Sequence, residues 1–172
     1  MFIVFLLIFE SLMASPKKVY LAGPDVFRYD AVEHLEGLKN ALKLIGYHGL
    51  APLDNKVDLS DPLASLIIYK ENINLIRACD YVVANISPFR GPSIDPGTAY
   101  EIGFADALGK KVILYTDSLT EYKSRVTHDE YLVEDFGLID NLMIVYDESP
   151  KGSKPCFGSF AEVLEYLATL NF

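Results

Sequence analysis

The chain has no tryptophan, two cysteines and three histidines, and it is short of positive charge: 15 Lys and Arg stand against 24 Asp and Glu, a net charge of −9. Each shortage closes a class of function. Without a basic stripe nothing displaces counterions from a phosphate backbone, which argues against nucleic-acid binding. Lys17-Lys18 and Lys110-Lys111 are isolated pairs that flank strands. Cys79 and Cys156 make no disulfide framework. Nor do they or His34, His48 and His128 show metal-ligand spacing, so the histidines read as surface or loop residues. The expectation is a reduced, cytoplasmic protein with no metal and no cofactor. The apolar run from Phe2 to Phe9 is eight residues long and closes at Glu10, too short to span a bilayer. It also lacks the positive region of a signal peptide, whereas Met13-Ala14-Ser15-Pro16 offers a second start just before the first strand. Residues 1–16 therefore read as an N-terminal extension, with 1–12 upstream of that second start, and 17–172 as one domain. No Gly-x-Gly-x-x-Gly and no P-loop is present, so dinucleotide or nucleoside-triphosphate binding has no support.

What is present is a rhythm of apolar strands and amphipathic helices. Val19-Tyr20-Leu21-Ala22 reads as a buried strand running into the tight Gly23-Pro24 turn. Ala31, Leu35, Leu38, Leu42 and Ile45 lie on one helical face that stops at Gly46. A weaker strand follows at 47–50, then a helix opened by Asp61-Pro62 and running to about Ala78. Tyr81 to Ile86 is the clearest central strand, and Lys111 to Thr116 a fourth; Leu142 to Tyr146 is expected as the fifth. Ser159-x-x-Glu162 is a capping box that opens the last helix. Continuous apolar strands alternating with helices imply a doubly wound, flavodoxin-like α/β fold. Its expected core is a five-stranded parallel sheet ordered 2-1-3-4-5, with helices on both faces. Ligands bind such sheets outside the carboxyl ends of the strands. The loops there are 23–29, 87–95 and the segment after Thr116.

One of those loops carries chemistry. In Asp95-Pro96-Gly97-Thr98-Ala99-Tyr100-Glu101-Ile102-Gly103, Asp95 before Pro96 is a helix N-cap with proline at the first helical position. Glu101 then falls in the second turn, roughly 9 Å along the axis from the cap. No basic residue stands within a turn of it, and its neighbours are small or apolar. Most helical glutamates are solvated and most Asp-Pro-Gly sequences are only caps. The joint pattern, two carboxylates at one stiff, glycine-containing helix mouth, is what points to a working acid pair.

Four separated segments carry a resemblance. They are Tyr20-Leu21-Ala22-Gly23-Pro24-Asp25-Val26-Phe27, Asn85-Ile86-Ser87-Pro88-Phe89-Arg90-Gly91, the Asp95–Gly103 motif and Asn141-Leu142-Met143. Together, and in this order, they resemble the nucleoside 2-deoxyribosyltransferase family over nearly all of the chain from Lys17 onward, most closely the branch with a Ser-Pro-Phe-Arg-Gly loop. The resemblance implies transfer of a 2-deoxyribosyl group between nucleobases through a covalent ester on Glu101, with retention of the β-anomer. It implies Asp95 as general acid for the departing base and Tyr20 as the hydroxyl orienting the nucleophile. Gly23, Phe27, Phe89, Arg90, Gly97 and Met143 would bind substrate. Asn141 would reach the sugar in a neighbouring subunit's site, making the active unit at least a homodimer. Where better-known members carry a base-binding Asp, this chain has Asn72, which both donates and accepts hydrogen bonds but supplies no proton.

Two other readings stand beside it. Deoxynucleoside 5′-monophosphate N-hydrolases of the same superfamily deliver water to the same ester, and hold the phosphate with Ser and Arg in the first loop. Here that loop carries Asp25, which would repel a phosphate, so nucleosides and free nucleobases are the expected substrates. A non-enzymatic flavodoxin-like module is the other reading. A phospho-receiver is disfavoured, because Gly23-Pro24, Asn85-Ile86-Ser87 and Tyr115-Thr116 replace its acidic pair, its Asp and its Lys. The polar 120–135 segment reads equally as a lid or as a surface loop.

Overall fold

Val19 and Leu21 point to one side of their strand and Tyr20 and Ala22 to the other, and both sides are buried. That is possible only for an inner strand with a layer of helices above and below. The computed structural model describes residues 15–127 and 130–170. Residues 1–14, which hold most of the expected N-terminal extension, and His128 lie outside the described residues.

β1 (Lys18–Ala22), β2 (His48–Leu50), β3 (Tyr81–Asn85), β4 (Lys111–Tyr115) and β5 (Cys156–Phe157) form one sheet in the order β2-β1-β3-β4-β5. All four pairings are parallel, with Tyr20 level with Leu50 and Val82, and Val82 level with Val112. On one face, α1 (Ala31–Leu44) and α6 (Phe160–Thr169) place Leu35, Leu42, Val163 and Leu167 against Val19, Leu21, Val83 and Ile113. On the other, α2 (Ala64–Ala78) and α3 (Pro96–Ala107) place Ile76, Ile102 and Ala105 against Tyr20, Val82, Val112 and Leu114. The expected topology and the helices on both faces are therefore observed. Gly46 and Gly109 take φ of 85° and 66° just past α1 and α3, the left-handed turn that ends a helix at low cost in a glycine.

Three expectations are corrected. Leu142 to Tyr146 is not a strand: Leu142–Val145 is a single helical turn, α5, because the Asn141 side chain accepts the Met143 N–H and caps it. The fifth strand lies later, at Cys156–Phe157, paired to Leu114 and Tyr115. His34 is neither loop nor free surface. It sits in α1 with Nε2 3.1 Å from Asp25 Oδ1, whereas His48 is exposed as expected. A smaller difference is the start of α2 at Ala64, with the Asp61 carboxylate accepting the Leu63 N–H just ahead of it.

Candidate active site

At the carboxyl edge of the sheet, β1 and β3 exit side by side, and their loops must cross closely. A Cβ on Gly23 would lie 2.7 Å from Asn85 Cβ, so only glycine lets the β1 loop pass over the end of β3. β3 then leads through loop 86–95 into α3. Asp95 takes extended backbone angles and accepts the Thr98 N–H at 3.0 Å and its hydroxyl at 3.2 Å, both on Oδ2. Pro96 occupies the first turn, where its missing N–H is not needed. A Cβ on Gly97 would stand 2.9 Å from that same Oδ2 and push the carboxylate off its cap.

Six residues into the helix, Glu101 faces the sheet, half-buried, and Oε1 accepts the hydroxyl of fully buried Tyr20 at 2.6 Å. Strand period and helix period meet here. Tyr20 lies on the β1 face that α3 covers, and position 101 presents its carboxylate to that face. Burial pushes the Glu101 carboxyl up, the negative charge of Asp95 adds to this, and the Tyr20 hydroxyl pulls back, leaving it at about 7. Tyr20 itself is pushed well above its usual range, first by burial and then by the Glu101 charge, so it remains a hydrogen-bond donor. Removing that donor should destabilise the carboxylate. In Tyr20→Phe, a carbon-13 titration of the Glu101 carboxyl should give a midpoint above the wild-type value of about 7. An unchanged or lower midpoint would mean the hydroxyl does not stabilise the charge.

Phe27 and Phe89 stack across the mouth, with ring centroids 5.3 Å apart and planes 13° from parallel. The Arg90 guanidinium lies 5.1 Å from the first ring and 4.6 Å from the second. Arg90 holds φ at 55°, the one non-glycine residue with positive φ among the described residues. Asn72, on α2, has its Oδ1 buried with no hydrogen-bond partner among the described residues. Asn141 and Met143 stand apart from this set. Asn141 donates to Glu134 at 2.7 Å, and Met143, 73% exposed, lines a separate groove of about 980 Å³ beside Lys111, Tyr146 and Pro155.

Sequence reasoning missed the state of Asp25. Its Oδ2 accepts Asn85 Nδ2 at 2.9 Å and the Tyr115 hydroxyl at 3.4 Å, while His34 approaches Oδ1. These partners come from the ends of β3 and β4 and from α1, so a buried carboxylate ties the β1 loop to three elements. Partners 9 to 90 residues away leave no local sequence signal. Burial, with the Asp25 charge beside it, pushes the Tyr115 hydroxyl far above its usual range. Among the described residues no group of histidine, cysteine or acidic side chains is arranged to hold a metal ion. No helix there is long and apolar enough to cross a membrane.

Residues 19–143 match the sequence model of the family described as nucleoside 2-deoxyribosyltransferase. The chain belongs to that family. A 2-desoxiribosyltransferase from Leishmania mexicana superposes over 90% of this chain and 98% of its own, with a TM-score of 0.75 and 34% identity. The 2-deoxyribosyltransferase of Bacillus psychrosaccharolyticus, 24% identical, shares the fold over 89% of this chain and 95% of its own at a TM-score of 0.61. An uncharacterized protein of Schizosaccharomyces pombe is 36% identical over 121 residues, 66% of this chain and 57% of that one. The match thus spans less than two thirds of the yeast relative's length. Family membership agrees with the resemblance carried by the four sequence segments and with the strand order.

Proposed function

We propose that this protein transfers a 2-deoxyribosyl group from a deoxynucleoside to another nucleobase through an ester on Glu101. The observation that carries the reading is the Glu101–Tyr20 pair: a half-buried carboxylate near neutral pKa, held by a tyrosine hydroxyl at the ligand-binding edge of the family's fold. A 2-deoxy sugar reaches an oxocarbenium-like transition state readily, because no 2-hydroxyl withdraws electrons from C1. A carboxylate fixed beneath C1 stabilises that charge and then captures it, forming the C1–Oε bond as the C1–N bond breaks. The electron pair of the broken bond leaves with the base, which must gain a proton. In this reading Asp95 would deliver it through Oδ1, because both cap bonds fall on Oδ2. A second base then attacks C1 from the face opposite Glu101, its N–C1 bond forming as the C1–Oε bond breaks to regenerate the carboxylate and its N–H proton passing back to Asp95, and two inversions restore the β-anomer.

The remaining residues fit binding roles in this reading. Phe27, Phe89 and Arg90 would flank the flat base, and Asn72 Oδ1 would accept one of its N–H groups. Gly23 and Gly97 would let backbone approach the sugar closely. Asn141 would serve the site of a second subunit, beside exposed Met143. The carboxylates Asp25, Asp95 and Glu101 would favour an uncharged nucleoside over a 5′-phosphate.

Incubating deoxyinosine or thymidine with a different free base and separating the products tests this. A new deoxynucleoside is the expected product. Free deoxyribose with no new nucleoside would overturn transfer in favour of hydrolysis. Faster turnover of the 5′-monophosphates would overturn the choice of substrate class.

A further inference from the structure

The loop from β3 to α3 has two halves held in different ways. Its second half is packed by its own residues: Ile94 is buried in the core and Asp95 is fixed by its cap. Its tip, with Phe89 and Arg90, is closed by one backbone bond, Phe89 N–H to Ser93 O at 2.9 Å. What anchors that tip comes from far along the chain. Arg125, the last residue of α4 (Tyr122–Arg125), donates from Nε to Pro92 O at 2.8 Å and from Nη1 to Thr120 O at 2.6 Å. Its Nη2 donates to Ile139 O at 2.5 Å and lies 3.3 Å from Asp140 Oδ2. Asp140, 1% exposed, accepts the Ser93 hydroxyl at 2.5 Å and the Asn141 N–H at 2.8 Å on its other oxygen. Segments 92–93, 120–125 and 139–141 thus converge on one buried ion pair.

Only a planar fork with several N–H groups serves three carbonyls and a carboxylate at once, which a lysine ammonium does not reproduce. The pair is directed inward, at backbone groups and at Ser93, so its effect is geometric. We propose that Arg125 and Asp140 form a positioning clamp for the Phe89–Arg90 wall, through Ser93 and Pro92, and thereby set affinity for the base. This rests on the deoxyribosyl-transfer reading, in which that wall flanks the base. A shift of Ser93 carries Phe89 with it through their backbone bond and separates Phe89 from Phe27. Glu101 and Asp95 are held by α3 itself and by Ile94, so release of the clamp leaves the reacting groups in place. The clamp therefore acts on KM rather than on kcat.

Arg125→Ala would leave Asp140 buried and unpaired and so endanger folding. The test uses Ser93→Ala, which deletes one hydrogen bond, and Asp140→Asn, which keeps the shape and removes the charge. Ser93→Ala should raise KM for the donor nucleoside about fivefold, the worth of one such bond, and Asp140→Asn should raise it further. In both, kcat should stay within about twofold of wild type. Hydrogen exchange at the Phe89 amide should accelerate in both variants while β1, β3 and β4 stay protected. An unchanged KM, a fall in kcat, or an unaltered Phe89 exchange rate would overturn the clamp. Wild-type turnover is measured first. Its absence would sink the transfer reading, and exchange at Phe89, which needs no substrate, then decides the clamp by itself.

Discussion

Glu101→Gln is expected to lose turnover by roughly four orders of magnitude or more, the scale on which deleting a covalent nucleophile acts. The same variant should gain stability above neutral pH. Glutamine keeps the shape and still accepts the Tyr20 hydroxyl, but it has no charge to bury. The Glu101 carboxyl stands at about 7 in the fold against an ordinary 4.5. Because the folded value is raised, the stabilising contribution of the buried acid is fully present below 4.5 and is lost as pH rises through about 7. That difference corresponds to up to about 3 kcal/mol at alkaline pH. Urea unfolding at pH 5 and pH 9 reads it directly: the variant and wild type should converge at the lower pH and separate at the higher, with the variant more stable. A destabilised variant at pH 9 would mean the carboxylate is favourably solvated or paired, contrary to the buried geometry. Mass spectrometry of wild type with substrate should find deoxyribose on the peptide containing residue 101, and the variant should show none.

The second large effect is at Asp95. Asparagine caps a helix about as well as aspartate, so Asp95→Asn should fold with α3 intact. It has no proton to donate at neutral pH. With an ordinary purine or pyrimidine leaving group, kcat/KM should fall by about 10²–10⁴-fold, the usual worth of a general acid. With a deoxynucleoside whose base already carries positive charge, such as an N7-methylated purine, the loss should shrink to about threefold or less, since no proton is required. Equal losses on both substrates would remove Asp95 from the acid role. Removing the Asp95 charge also takes away one of the influences that hold the Glu101 carboxyl up, so the acid limb of kcat/KM should move to lower pH. Tyr20→Phe should move that limb the opposite way. Two substitutions that shift one midpoint in opposite directions separate electrostatics from general damage to the site.

The parts of this protein that were legible in its residues are those encoded locally. Tyr81 to Ala84 is continuous apolar sequence, as a strand covered on both faces requires, and these residues lie in β3. The Asp95-Pro96-Gly97 cap and the six-residue interval to Glu101 follow from helix geometry alone, and Asp95 does cap α3. Where local pattern was ambiguous, tertiary pairing decided. Leu142 to Tyr146 has the composition of a strand, but no strand of the described sheet takes it up, and the Asn141 side chain turns it into α5. The real edge strand is two residues long, which no periodicity can reveal.

The sequence by itself determined four of the five strands, the helices that cover both faces and the helix shared by Asp95 and Glu101, because periods of 2 and 3.6 residues dictate which side chains share a face. The Tyr20–Glu101 contact across 81 residues was legible only through the family resemblance, and the tertiary structure alone decided the burial of Asp25 among Asn85, Tyr115 and His34 and the Arg125–Asp140 clamp under loop 86–95. The physical reason is that a charge leaves water only where folding supplies its partners, and those partners lie on elements that no local pattern connects.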